Sequence, residues 1–263
     1  MNNENGFLQE RWVWLAGSIV AAVLAAWVAW ILRRTDDAER PWLARWRDWP
    51  GRPWVIQTIR ILYAVGIPAA ALLWRGILTE RGLGIQSFPW SQTIAPASMP
   101  VSYRNWALDL GWTLLIATGA AMIILLGERH QLSPHSPEIH HDLGLALREA
   151  IYHEIHWAFY REPFVLLWGT AVGAWAGLIP VLLEAVLNPM RWGDLHSPAR
   201  GRDLLVRALL AVVSVLIFLQ TQNLWVALLA DAGLGWVAGM TRASLRDQVT
   251  PQRRLDAATI LTQ

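Results

Sequence analysis

The sequence predicts an all-α fold, a polytopic bundle with about seven membrane-spanning helices. Three observations carry this. Hydrophobic residues make up 54% of the 263-residue chain and charged residues only 16%, whereas soluble domains carry nearer a quarter charged residues. The mean hydropathy is +0.30. The apolar residues are also gathered into runs long enough to cross a hydrocarbon layer about 30 Å thick. A disordered chain and a disulfide-built module are excluded. With no Cys there is no thiol nucleophile, iron–sulfur site or c-type haem attachment.

The first span is expected over residues 12–32, which carry no charge. Glu4, Glu10 and Arg11 precede it and Arg33 and Arg34 follow, the reverse of a cleaved secretory signal. The second is expected over 54–78 and the third over 106–127, with Asp109 near its start. The fourth is the unusual one. Ser136, Pro137 and Glu138 read as cap, first-turn proline and dipole-matched acid, and Glu162-Pro163 reads as the stop. The 25 or so residues between would make roughly 37 Å of helix. Yet they hold His140, His141, Asp142, Arg148, Glu149, His153, Glu154, His156 and Arg161. The fifth span is expected over 164–187 with Glu184 inside, the sixth over 204–219 and the seventh over 224–240 with Asp231 inside. Residues 220–223 form the tight connection between the last two.

Charge sets the expected orientation. All 22 basic residues are Arg. If the fourth segment crosses, Arg33, Arg34, Arg40, Arg45, Arg47, Arg52, Arg129, Arg191, Arg200, Arg202, Arg242, Arg246, Arg253 and Arg254 share one side. The other side keeps Arg11, Arg81, Arg104 and Arg161. The positive-inside rule then gives a multi-pass protein of a bacterial inner membrane with its N-terminus outside. Residues 1–11 form an external tail, 12–241 the transmembrane domain and 242–263 a cytoplasmic tail. Trp42, Trp46 and Trp49 recur at helical spacing with Arg between them, as in an interfacial helix on an anionic leaflet. The expected partners are membrane lipids and other membrane subunits, not nucleic acid, since no basic stripe stands apart from the spans.

Six of the seven histidines lie between His130 and His156. At about 100° per residue, Glu149, His153, His156 and Tyr160 share one helix face, and Glu154, Trp157 and Arg161 the next. Ionisable groups at membrane depth face a bundle interior or a wet cavity. Three chemistries fit. Glu149, His153 and His156 could hold a divalent metal, with Glu184 or Asp231 completing the shell. Glu149, His153 and Glu154 could activate water. Or the groups could pair with Arg60, Arg207 or Arg161 as a polar network that fixes helix register. No Gly-rich phosphate loop, zincin spacing or nucleophile elbow occurs.

The stretch His156-Trp157-Ala158-Phe159-Tyr160-Arg161 resembles the first motif of the CPBP family, the CAAX-protease and bacteriocin-processing intramembrane enzymes. That motif is Glu-Glu-x-x-x-Arg with aromatics before the Arg. Residues 221–231 resemble the family's turn, Leu-Trp entry and final motif helix. The likeness covers about 154–236. It implies a helical membrane enzyme in which Glu and His activate water. Here the two Glu positions fall on His156 and Trp157, the motif His on Asp231 and the following Asn on Gly235. The middle motif has no counterpart besides Glu184. The resemblance therefore implies a non-catalytic relative, a membrane binding or assembly component. Glu149, His153, Glu154 and Arg161 are the catalytic residues if activity is kept; His156, Tyr160, Glu184 and Asp231 are then binding residues.

Overall fold

The computed structural model describes residues 2–35, 41–73, 78, 80–86, 101–130 and 142–241. Among these, every regular element is a helix. In chain order they are α1 (Asn2–Arg34), α2 (Pro41–Asp48) and α3 (Arg52–Leu73), then α4 (Glu80–Leu83) and α5 (Val101–His130). There follow α6 (Leu143–Ala176), α7 (Leu178–Leu187), α8 (Pro189–Leu195), α9 (Pro198–Thr221) and α10 (Leu224–Thr241).

Five of these helices are long and apolar enough to cross a membrane singly, and the bent pair α6–α7 passes the same test taken together. The first three spanning windows are only 11–17% buried within the molecule. Their apolar side chains face outward, as Leu114 (70% exposed) and Leu73 (83%) do. So large an exposed apolar surface is stable only against lipid or another apolar partner. The chain is an integral membrane protein.

Local sequence explains the irregularities. α3 widens into a π-turn over Leu62–Gly66, where the Ile67 N–H reaches back to the Leu62 carbonyl. Pro68 follows at once; it has no N–H for the Ala64 carbonyl and its ring crowds that turn. α2 forms where the Trp/Arg periodicity predicts it. It buries Leu43 and leaves Trp42, Trp46 and Trp49 outside.

The expected stop at Glu162-Pro163 is corrected. α6 runs through Pro163 and changes direction at Gly169 (φ 75°, ψ 172°), a conformation that only glycine adopts readily. A Cβ added to Gly177 would lie 2.7 Å from the Arg161 Cα, and one on Gly173 would collide with the Val165 backbone. In an unbroken helix, residues eight apart are about 12 Å apart along the axis. The chain therefore doubles back at Gly169. Gly173 and Gly177, four apart, let the returning leg lie directly on the outgoing one, as small residues do in membrane helix pairs. The helix start also differs. Asp142 is the N-cap, accepting from the Gly144 N–H at 2.8 Å. The cap expected at Ser136 lies outside the described residues, as do His135, His140, His141 and the tail 242–263.

Cross-helix contacts align the spans in alternating directions. At one end the Arg11 guanidinium is 3.7 Å from Glu162, and Trp12 meets Phe164 edge-on at 5.1 Å. The Arg161 guanidinium lies 3.5 Å over Phe218. At this end Gln222 takes a left-handed turn (φ 48°), and Asn223 donates to Asp109 at 3.1 Å. The Gly84 carbonyl accepts from the Leu224 N–H at 2.7 Å, so the segment after α4 caps the α9–α10 turn. At the opposite end Trp27 donates to the Leu187 carbonyl at 3.1 Å and Arg47 to the Leu32 carbonyl at 2.9 Å. α6 separates two packed clusters. Leu15, Ala71, Phe159 and Phe164 form one; Ile124, Leu210, Ile217, Val226 and Leu234 form the other.

Candidate functional site

The polar residues of α6 do not converge. They fan out to three partners because they wrap around a helix with neighbours on several sides. Glu149 accepts from both terminal nitrogens of the Arg60 guanidinium and from Arg148 at 3.2 Å. Arg60 also lies 5.2 Å over the Tyr152 ring. This fits the register-fixing ion pair expected from the sequence.

His156 and Tyr160 turn toward α1, α3 and α7. Both Tyr63 and Tyr160 donate to Glu184. Ser18 lies 3.2 Å from the Tyr160 hydroxyl, and the His156 Nε2 is 3.0 Å from the Tyr63 oxygen. Tyr63 has one proton and gives it to Glu184, so Nε2–H is the donor to Tyr63. His156 Nδ1 is then the bare lone pair, and it is buried without a partner. Glu184 is thus linked to His156 through the Tyr63 hydroxyl and not in the metal shell expected from the sequence.

His153 and Glu154 turn toward α9 and α10. Ser214 donates to Glu154 at 2.8 Å. Asp231 is 5% exposed, and neither of its carboxylate oxygens has a hydrogen-bond partner. The nearest cation-forming group is His153 Nδ1 at 3.6 Å. The His153 ring is held by stacking on Trp157, 5.2 Å between centroids and 9° between planes.

Beside these residues is a crevice of about 240 Å³ between α6, α9 and α10. Its walls include Ala146, Glu149, His153, Asp231, Gly235 and Trp236. Asp142, Asp203 and Arg207 line it toward the Arg-rich end, where α6 and α9 begin. Gly235 and Ala146 make room for it: a Cβ on Gly235 would come no closer than 4.0 Å to the Ala146 methyl. Nearby, burial foremost and then Arg207 hold the Arg191 guanidinium below the ordinary arginine range, with Asp194 and Glu184 opposing.

Of the metal set expected from the sequence, Glu149 faces Arg60, His153 faces Asp231 and His156 faces Tyr63. Among the described residues no group of three His, Asp or Glu side chains is placed to hold a metal ion. Sequence reasoning did not single out Ser18, Tyr63, Ser214, Asp203 or Trp236. Ser18 and Ser214 were detectable as lone hydroxyls in otherwise apolar runs. Trp236 was masked by 17 other tryptophans that suit an interface role equally well. Comparison of the chain with family models, curated proteins and solved structures gives no match.

Proposed function

We propose that the chain is a membrane-embedded binding component, and that its ligand site is the crevice between α6, α9 and α10. One observation carries this reading: Asp231 stands in the crevice wall, and its carboxylate oxygens are buried with no hydrogen-bond partner. A buried polar group left without a partner costs about 1–3 kcal/mol, and a bound ligand would supply the partner. The Arg-rich end of the bundle is the cytoplasmic end by the positive-inside rule, so the ligand enters from the cytoplasm of a bacterial inner membrane. α2 then seats its tryptophans and arginines on the inner leaflet.

A non-catalytic relative of the CPBP enzymes is the family reading that goes with this. Asp231, which stands where the family's motif His would be, lies across from the α6 motif beside His153. Glu149 is held by Arg60 and Arg148, and Glu154 by Ser214. These partners favour binding over water activation by the same carboxylates.

The chain has no Cys, so a single introduced thiol reports directly on water access. Ala146→Cys and Gly235→Cys are expected to react with a hydrophilic maleimide in the folded, detergent-purified protein. Val226→Cys, at a fully buried position, is the unreactive control. Crevice thiols as slow as the Val226 thiol would overturn the reading.

A further inference from the structure

The charge lining the crevice selects among ligand classes. Asp142, Asp203, Asp231 and Glu149 are its acidic residues; Glu149 is matched by Arg60 and Arg148, whereas the Asp231 oxygens have no hydrogen-bond partner. The positive side chains on the wall are Arg207, at the mouth, and His153 when protonated. An anion would meet the Asp231 carboxylate, whose oxygens have no hydrogen-bond partner. A divalent metal would lack a ligand set, since no three His, Asp or Glu side chains among the described residues are placed to hold one. A neutral ligand would leave the Asp231 charge uncompensated in an apolar surrounding, an expensive arrangement.

Trp236 adds a second, independent feature. It is an aromatic wall of the same crevice, only partly covered at 38% exposed. An indole face attracts a desolvated cation, and Trp236 and Asp231 stand on the same helix with the crevice in common. The volume, about 240 Å³, is roughly that of eight liquid waters and falls just below the range for drug-sized ligands. The occupant is therefore small.

We propose that the crevice binds a small organic ammonium ion, with Asp231 as its counter-ion and Trp236 as its aromatic wall. This rests on the crevice being the ligand site, and it adds the chemical class of the ligand. Binding needs no covalent step. The cation enters past Asp142 and Asp203, sheds water against Trp236 and neutralises the Asp231 carboxylate. His153, stacked on Trp157 and also part of the crevice wall, lies 3.6 Å from Asp231.

The test uses the full-length Gly235→Cys protein in detergent and the rate of maleimide labelling. The probes are tetramethylammonium, the neutral tert-butanol of similar size, sodium at matched ionic strength, and magnesium. Slowed labelling by tetramethylammonium alone is the expected result. An added Asp231→Asn is expected to raise the half-protecting concentration by about 30-fold or more, as truncation of one member of a desolvated charge pair does. Trp236→Leu, which leaves all charges in place, is expected to raise it as well, so the test does not depend on the folding of one variant. Equal protection by tert-butanol, protection by magnesium or sodium, or unchanged protection in both variants would overturn the ammonium assignment and leave the crevice standing. A Gly235→Cys thiol that never reacts would remove the crevice itself.

Discussion

At the scale of single residues, the Glu184 carboxylate ties several helices together. It gathers Tyr63 and Tyr160 from two helices, with Ser18 and His156 bonded behind them. Interhelical hydrogen bonds inside a membrane are worth about 0.6–2 kcal/mol each. Tyr160→Phe is expected to lower stability by about 1–2 kcal/mol, read from denaturant or thermal unfolding in detergent. Because both tyrosines serve one oxygen of Glu184, Tyr63→Phe and Tyr160→Phe are expected to be non-additive, with a coupling of about 0.5 kcal/mol or more. Strict additivity would show that the hydroxyls act independently. Arg60→Leu is expected to destabilise more than the double change Arg60→Leu/Glu149→Leu, because the single change leaves a half-buried carboxylate with Arg148 alone. The sequence made Glu149, His153, Glu154, His156, Glu184 and Asp231 visible as ionisable groups in apolar runs. It did not assign their partners. Helical phase places His153 and His156 on one face, yet their imidazoles reach opposite sides, because three residues on a helix differ by about 60° and the neighbouring helices fall on either side of that angle.

At the scale of elements, the turn at Gly169 does the most to shape the molecule. Gly169→Ala is expected to destabilise by about 1–3 kcal/mol, since an alanine at φ 75° and ψ 172° is strained whatever space surrounds it. Gly173→Ala is expected to cost a similar ~1–3 kcal/mol by forcing the returning leg off Val165. Gly111→Ala is the matched control: nothing lies within 4 Å of its added Cβ, and helix propensity alone favours alanine by about 0.5–1 kcal/mol. Equal effects at Gly111 and Gly173 would contradict the close packing of the two legs. Hydropathy located the first, second, third, sixth and seventh spans within a few residues. It misplaced the boundary between the fourth and fifth. Pro163 is a strong local breaker, but burial of the helix around it carries α6 onward, and the residue that permits reversal is an unremarkable glycine in an apolar run.

At the scale of the whole molecule, two features act together. Apolar side chains face outward over α1, α3 and α5, while ionisable groups are drawn inward around α6. A soluble fold would place them the other way round. The crevice then joins the Arg-rich end to the buried Asp231 without crossing to the end capped by Gly84 and Asn223. At that far end Arg161 lies over Phe218 and Asn223 donates to Asp109. The composition of the sequence made the bundle legible. The crevice was not legible, because it depends on small residues from two helices, Ala146 and Gly235, meeting across an interface that no spacing within one helix reports.

The central claim is a ligand crevice entered from the Arg-rich end. Side-resolved labelling of Gly235→Cys in sealed membranes tests it most directly, with Thr35→Cys and Gln222→Cys marking the two ends. An impermeant maleimide is expected to reach the Gly235 thiol from the face that labels Thr35 and not from the face that labels Gln222. Labelling from the Gln222 face, or from neither, would contradict the account.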